Sequence, residues 1–178
     1  MLEGNLVNLR VIEKEDLPLV AEWSNNPEFG GEFEGLEQAS RAELEKEYDK
    51  LTPEKKWFIV EKKDGSKIGF IGHFTIGKLW SIGYILVPIE RGKGYCTEAV
   101  KIMVDYLFLS KDIVRIQALI NPRNIASQKV VEKNEFKKEG VSRKSYFARG
   151  EWRDMIIYSI LREEWKKPKI LTRTIPQE

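Results

Sequence analysis

The apolar residues of this chain change period several times, and each change marks a new element. Leu6-Val7-Asn8-Leu9-Arg10-Val11 alternates in steps of two, the spacing of a half-buried strand. Leu17, Val20 and Ala21 then fall at helical spacing, and Asn25-Asn26-Pro27 ends that helix. Ser40-Arg41-Ala42-Glu43 forms a capping box, in which serine and glutamate satisfy each other's helix-end N–H groups, ahead of Leu44, Tyr48 and Leu51 on one helical face. Residues 57–61, 67–76 and 79–87 read as three strands. Asp64-Gly65 and Gly77-Lys78 supply the turns between them, which predicts an antiparallel meander.

After Pro88 the period becomes helical, with Val100, Met103, Val104 and Leu107 on one side. Val114, Ile116, Ala118 and Ile120 then alternate with Arg115, Gln117 and Leu119 as a strand does. Strand, helix and strand at this length predict a parallel crossover. A helix over 124–133 and two strands over 136–148 and 151–161, hinged at Arg149-Gly150, complete the order β-α-α-β-β-β-α-β-α-β-β. Residues 1–165 form one continuous domain on this reading. The polar tail 166–178 has two prolines and no period, and is expected to fray or to dock in extended form.

A length of 178 residues suits one domain, and 42% hydrophobic with 33% charged residues is ordinary globular composition. No apolar run approaches the roughly 18 residues of a membrane span, which argues against an integral membrane protein. Thirty basic against 28 acidic side chains leave +2, too balanced for a protein whose main partner is nucleic acid. The lone Cys96 cannot form an internal disulfide, and the first residues have neither a basic nor an apolar targeting region, so a reducing cytoplasm is expected. One histidine and one cysteine do not furnish a usual zinc set, and no metal is expected.

The chemistry concentrates in Arg91-Gly92-Lys93-Gly94-Tyr95-Cys96-Thr97-Glu98-Ala99, between an apolar strand and a helix. Glycines let the backbone turn N–H groups inward, and a helix N-terminus adds partial positive charge, so this turn is suited to phosphate oxygens. A Walker loop needs glycine where Val87 stands and serine or threonine where Gly94 stands. A Rossmann fingerprint needs three glycines and a following strand ending in an acid, whereas the strand here ends at Asn121-Pro122. A tight strand-to-helix connection without a ligand is the remaining bland alternative.

Arg91-x-x-Gly94-x-Cys96 resembles the R/Q-x-x-G-x-G/A signature of the GNAT acetyltransferases, with Ile82-Gly83-Tyr84 and Pro88 before it and Thr97-Glu98-Ala99 after it. Asn124-Ile125-Ala126-Ser127, Lys133-Asn134-Glu135-Phe136, Glu139-Gly140 and Trp152-Arg153-Asp154 resemble the RimJ/RimL-like branch, which acts on ribosomal-protein N-termini. The likeness runs from about Leu6 to Trp165. It implies an α/β (α+β) GNAT fold, with a mixed, mostly antiparallel sheet of about seven strands and about four helices. It also implies acetyl-CoA as co-substrate and direct acetyl transfer to a primary amine.

Carried over by position, the resemblance places pyrophosphate on the backbone of Gly92, Lys93, Gly94, Tyr95 and Cys96, with Arg91 and Thr97 assisting. Leu86 and Val87 would offer main-chain groups to the pantetheine and acetyl carbonyl, Asn124 would bond the pantetheine arm, and Ser127 would lie near the sulfur as a general acid. Asn124 is also a good helix cap, and the two roles are compatible.

Some positions depart from the family pattern. Cys96 stands where glycine or alanine is usual. A thiol nucleophile built from Cys96 and His73 is disfavoured, because a phosphate cradle leaves little room for an acyl acceptor. His73 lies in a half-buried strand and is expected to be structural. Relatives often carry glutamate just before Ile-Gly-Tyr; Ser81 stands there and cannot take a proton at neutral pH, and Tyr146 replaces a water-positioning glutamate. The base is left unassigned, with Glu32, Glu34 and His73 as candidates.

Positioning and backbone donors carry much of an acetyl transfer, so the missing glutamate is compatible with an enzyme. A non-catalytic acyl-CoA-binding or sensing module is the alternative. Glu28, Glu32, Glu34 and Glu37, interleaved with Phe29, Phe33 and three glycines, form a connection expected to be an adaptable loop bordering the acceptor cleft. Glu32 and Glu34 are the acceptor-binding candidates, and a cationic acceptor follows if the run is more than solvated surface. A protein N-terminus, an aminoglycoside and a polyamine all meet that description. Monomer and homodimer are both compatible with the sequence.

Overall fold

The computed structural model describes residues 1–171. Its eight strands are β1 (Leu2–Glu3), β2 (Val7–Val11), β3 (Lys56–Lys62), β4 (Lys67–Ile76), β5 (Leu79–Leu86), β6 (Arg115–Ile120), β7 (Lys137–Ala148) and β8 (Glu151–Leu161). They form one sheet in the order β1-β2-β3-β4-β5-β6-β8-β7. Every neighbouring pair is antiparallel except β5 and β6, which run parallel across the predicted crossover. The helices are α1 (Leu17–Asn25), α2 (Pro27–Gly30), α3 (Arg41–Asp49), α4 (Tyr95–Ser110), α5 (Ile125–Glu132) and α6 (Arg162–Trp165).

Alternation along β3 divides the core. Phe58 and Val60 point to the face covered by α4, where Ile102, Met103 and Leu107 are fully buried, while Ile59 points to the face covered by α1 and Trp23. Truncating Leu107 to alanine in such packing costs about 2–5 kcal/mol.

Three elements exceed the sequence expectation. β1 adds an eighth strand of only two residues, Leu2 against Leu9 and Glu3 against Asn8, too short to show a period. The acidic connection, expected as an irregular loop, opens with the single turn α2. Its cause is local: the Asn26 side chain accepts the Glu28 N–H at 2.9 Å, Pro27 pre-sets the first helical position, and Phe29 is buried on Trp23 with ring centroids 5.4 Å apart. α6 forms because the Glu164 carboxylate accepts the Leu161 N–H at 2.9 Å while Trp165 buries itself on Phe108. Beyond it, the buried Asp105 carboxylate accepts main-chain N–H groups of Lys169, Ile170 and Leu171 at 2.6–3.0 Å, so this stretch of the tail bends around that carboxylate and docks on α4 instead of running extended. Residues 172–178, the remainder of the expected tail, lie outside the described residues. No helix among the described residues is long and apolar enough to cross a membrane.

The feature that positions the site is a divergence in mid-sheet. β5 is paired with β4 along its whole length, and β6 with β8 along its own, but β5 and β6 meet only at Trp80–Ile116 and Ser81–Gln117. Gln117 Nε2 donates to Ser81 Oγ at 3.0 Å, and both residues are buried at the apex of the wedge. Past them each strand follows its own partner. The sheet therefore opens, leaving the edge of β5 beyond Ser81 without a strand neighbour.

Candidate active site

The wedge contains a cavity of about 100 Å³. Ile82, Gly83 and Tyr84 line it from β5, residues 118–120 from β6, Asn124 and Ser127 from the start of α5, and Phe33 and Glu34 from the acidic connection. Ser81, at the apex, is a buried bridging hydroxyl, and its bond to Gln117 explains its place without a proton-accepting role.

At the outer end of β5 stands the glycine turn. Gly92 and Gly94 hold φ of +77° and +88°, a left-handed backbone that glycine alone enters without cost, and Gly94 is the N-cap of α4. The first helical bond from this end runs from the Glu98 N–H to the Gly94 carbonyl at 3.1 Å. Among the described residues, the N–H groups of Gly92, Lys93, Gly94, Tyr95, Cys96 and Thr97 have no main-chain acceptor. They form a row of free donors at the positive end of a 16-residue helix. Glu98 anchors this turn from behind, its carboxylate accepting the N–H groups of Asn5, Leu6 and Val7 at 2.6–3.1 Å. Lys93 Nζ is paired with Glu90 at 2.9 Å on the rim.

Three residues expected beside the cofactor, Arg91, Leu86 and Val87, have groups engaged elsewhere. The Arg91 guanidinium donates through Nε to the Leu86 carbonyl at 2.9 Å and through Nη2 to the Phe29 carbonyl. The Val87 N–H donates to the Ile68 carbonyl at 2.9 Å, and the Val87 carbonyl accepts the Glu90 N–H at 3.0 Å. The Cys96 thiol packs against the core, and burial pushes its pKa up to about 12. A thiol so desolvated is a poor nucleophile at neutral pH, and His73 is nowhere near it in role: fully buried, it contacts the Glu54 carbonyl through Nδ1 at 3.2 Å and lies among Phe58, Trp80 and Tyr106. Burial lowers its pKa to about 4, so it stays neutral inside the core and does not line the cleft.

Ser127 and Asn124 do come together in the cleft. The Asn124 side chain accepts the Ser127 N–H at 3.0 Å, the capping role, and this fixes the first turn of α5. The Ser127 hydroxyl lies 2.8 Å from that of Tyr84, which also reaches the Ser127 carbonyl at 3.2 Å. Burial pushes the Tyr84 phenol well above its ordinary pKa and keeps it protonated. Tyr84 was not singled out from the sequence; its signal was the Ile-Gly-Tyr triplet ending on a cleft-facing strand position.

Glu34 lines the opposite wall. Its carboxylate accepts the Tyr146 hydroxyl at 3.2 Å. Glu34 is exposed to solvent; the crowding of its carboxylate raises its pKa, the Tyr146 hydrogen bond opposes the rise, and the charge of Glu37 adds to it. Glu32 is exposed, 3.8 Å from Arg123 Nη2. The loop is held by its main chain: Arg149 donates to the carbonyls of Pro27, Gly31 and Glu34, and Arg153 to that of Glu32.

A family model described as an acetyltransferase (GNAT) domain matches residues 7–137, spanning the sheet up to the cleft, the glycine turn and α5. The chain belongs to the GNAT acetyltransferases. A probable N-acetyltransferase of Bacillus subtilis, YjcK, is 33% identical, the match covering 90% of this chain and 97% of the relative. The spermidine N(1)-acetyltransferase of Escherichia coli K12 is 26% identical over 93% of this chain and 91% of its own. A crystal structure of the spermidine N-acetyltransferase from Vibrio cholerae, in complex with CoA and spermine, superposes with a TM-score of 0.82 at 23% identity, covering 91% of this chain and 99% of that one.

Acetyl-CoA is the donor that GNAT acetyltransferases use, and two features of this acetyltransferase fit such a molecule. The free N–H groups of the glycine turn complement a pyrophosphate, and the narrow wedge beyond Ser81 admits a slender chain towards Ser127.

Proposed function

We propose that this N-acetyltransferase acetylates a small polycationic amine of the polyamine class. The observation that carries the reading is the placement of Glu34: its carboxylate lines the cleft that Ser127 lines from the other side, and it accepts a phenol rather than an arginine or lysine. An unpaired carboxylate there attracts an ammonium group.

Gly92, Lys93, Gly94, Tyr95, Cys96 and Thr97 hold the pyrophosphate through their main chain, while Asn124 serves the pantetheine arm and caps α5. Bound there, acetyl-CoA supplies an acetyl thioester open to attack by an amine. Glu34 receives the reacting ammonium as an ion pair and takes its proton onto a carboxylate oxygen, a task its raised proton affinity suits. Ser127 Oγ–H gives its proton to the departing sulfur and recovers one from the attacking nitrogen, which sheds its second proton as the amide forms, so the serine ends neutral; Tyr84 holds that hydroxyl in place. Glu28, Glu32 and Glu37 supply negative field for the remaining positive charges, an attraction that salt weakens.

A protein N-terminus is the second reading, favoured by the RimJ/RimL-like spacing of Asn124-Ile125-Ala126-Ser127 and Lys133-Asn134-Glu135-Phe136. Acetyl transfer to spermidine, spermine, a neutral primary amine and a short peptide with a free N-terminus separates the two. Spermidine and spermine are expected to be acetylated best. Replacing both Glu32 and Glu34 by glutamine should raise their KM about tenfold or more and, with the base removed, lower kcat as well, while CoA binding stays unchanged. Equal turnover of cationic and neutral amines, by parent and variant alike, overturns the polyamine reading.

A further inference from the structure

We infer that Arg91, the first residue of the cofactor-turn signature, is a positioning residue for the acceptor loop rather than a ligand of phosphate. The inference rests on the reading of residues 32–34 as the acceptor side of the cleft. Both hydrogen bonds of the guanidinium end on main-chain carbonyls, Leu86 at the end of β5 and Phe29 in α2. The Arg91 N–H is spent on the Pro88 carbonyl at 3.2 Å. Arg91 is joined covalently to Gly92, the first glycine of the cradle, so one side chain connects the cofactor turn to the loop that carries Glu34.

The Phe29 end of this bridge is firm. Phe29 is buried, stacked on Trp23 at 5.4 Å and tilted on Phe70 at 5.7 Å, so its carbonyl has a defined place. Gly31 follows at φ +66°, and a side chain there would come within 3.7 Å of Arg91 Nη1, so the guanidinium also lies along the backbone that leads to Glu32 and Glu34. Arg149, in the turn between β7 and β8, and Arg153, in β8, grip the other carbonyls of the same loop. All three arginines act on carbonyl oxygens. Their positive charges therefore fix the loop without cancelling the Glu34 carboxylate, whose hydrogen-bond donor is Tyr146. Of the three, Arg91 alone belongs to the cofactor turn, and it links occupancy of that turn to the placement of Glu34. Such a link is reciprocal, so CoA should tighten acceptor binding as much as acceptor tightens CoA binding.

Two substitutions separate this role from a charge role. Arg91→Lys keeps the positive charge but cannot span two carbonyls as a planar guanidinium does; Arg91→Gln removes the charge as well. Both variants are expected to bind CoA within about twofold of the parent by calorimetry and to raise the KM for spermidine about fivefold or more at saturating acetyl-CoA, with kcat changed less. Hydrogen exchange gives a readout that needs no acceptor. CoA should slow exchange across residues 29–36 in the parent and fail to do so in either variant. A Lys variant that keeps parental CoA affinity beside a Gln variant that loses it about tenfold would return Arg91 to phosphate binding. Parental exchange across 29–36 in both variants overturns the inference. If the parent acetylates no polyamine but the exchange pattern holds, the acceptor class is wrong and the bridge stands.

Discussion

The Tyr84 and Ser127 hydroxyls lie 2.8 Å apart, joining β5 to the first turn of α5 across the open end of the wedge. The edge of β5 that β6 leaves unpaired is thus tied to the helix that follows β6, at the point where the thioester chemistry is proposed. A serine hydroxyl free to rotate would present its proton in several directions; this one has a fixed neighbour.

Ser127→Ala should therefore lower kcat about a hundredfold with the Kd for CoA unchanged, since a general acid acts in the transition state and not in binding. Tyr84→Phe should cost less, about tenfold, because it removes the partner and leaves the acid. Single-turnover rates with spermidine, beside calorimetry with CoA, check both. An unchanged chemical rate in Ser127→Ala removes this serine from the mechanism.

Gly94→Glu should abolish CoA binding. A side chain at φ +88° is strained, and a carboxylate beside the free N–H groups repels the phosphates and competes for their donors. Calorimetry on a variant whose circular dichroism matches the parent decides the matter, and retained affinity would remove the turn as the phosphate site.

Cys96 should be chemically quiet. With its thiol pKa pushed up to about 12, fewer than about one thiol in a thousand is ionised at pH 8. Mass spectrometry after iodoacetamide at that pH should find the native protein unmodified, and Cys96→Ala should keep at least about half the parental turnover. Loss of turnover about a hundredfold in that variant would restore the thiol as a nucleophile.

His73 should make the fold sensitive to mild acid. Its pKa falls from 6.5 to about 4 in the folded chain, so the unfolded chain binds the proton first as pH drops. Full stability is present above pH about 6.5 and is lost progressively towards pH 4. Tm measured across this window should fall more steeply for the parent than for His73→Phe; parallel curves would show that another group controls the transition.

The element order, the antiparallel meander, the parallel crossover and the closing hairpin were all legible in the sequence, because they follow from period and turn chemistry that neighbouring residues carry. β4 begins and ends where the alternation and its flanking turns place it, and the capping box Ser40-Arg41-Ala42-Glu43 starts α3 as predicted. The glycine turn was legible for the same reason, since positive φ and a helix N-terminus are local matters. Short elements escaped: two residues of β1 and one turn of α2 are too few to show periodicity, and they form through pairing with Leu9 and stacking on Trp23.

Only the tertiary structure decided which side chains share the cleft. Glu34, Tyr84 and Ser127 stand far apart in the chain and meet because β5 and β6 hold each other at just two residue pairs before diverging. It also decided that His73 and Cys96 belong to the packing and that Arg91 reaches away from the turn it helps to define. The sequence by itself determined where backbone could turn, alternate and cap, which depends on near neighbours. What each charged or hydroxyl group faces depends on how the half-sheets separate and on which carbonyls the arginines find, and those are properties of the assembled fold.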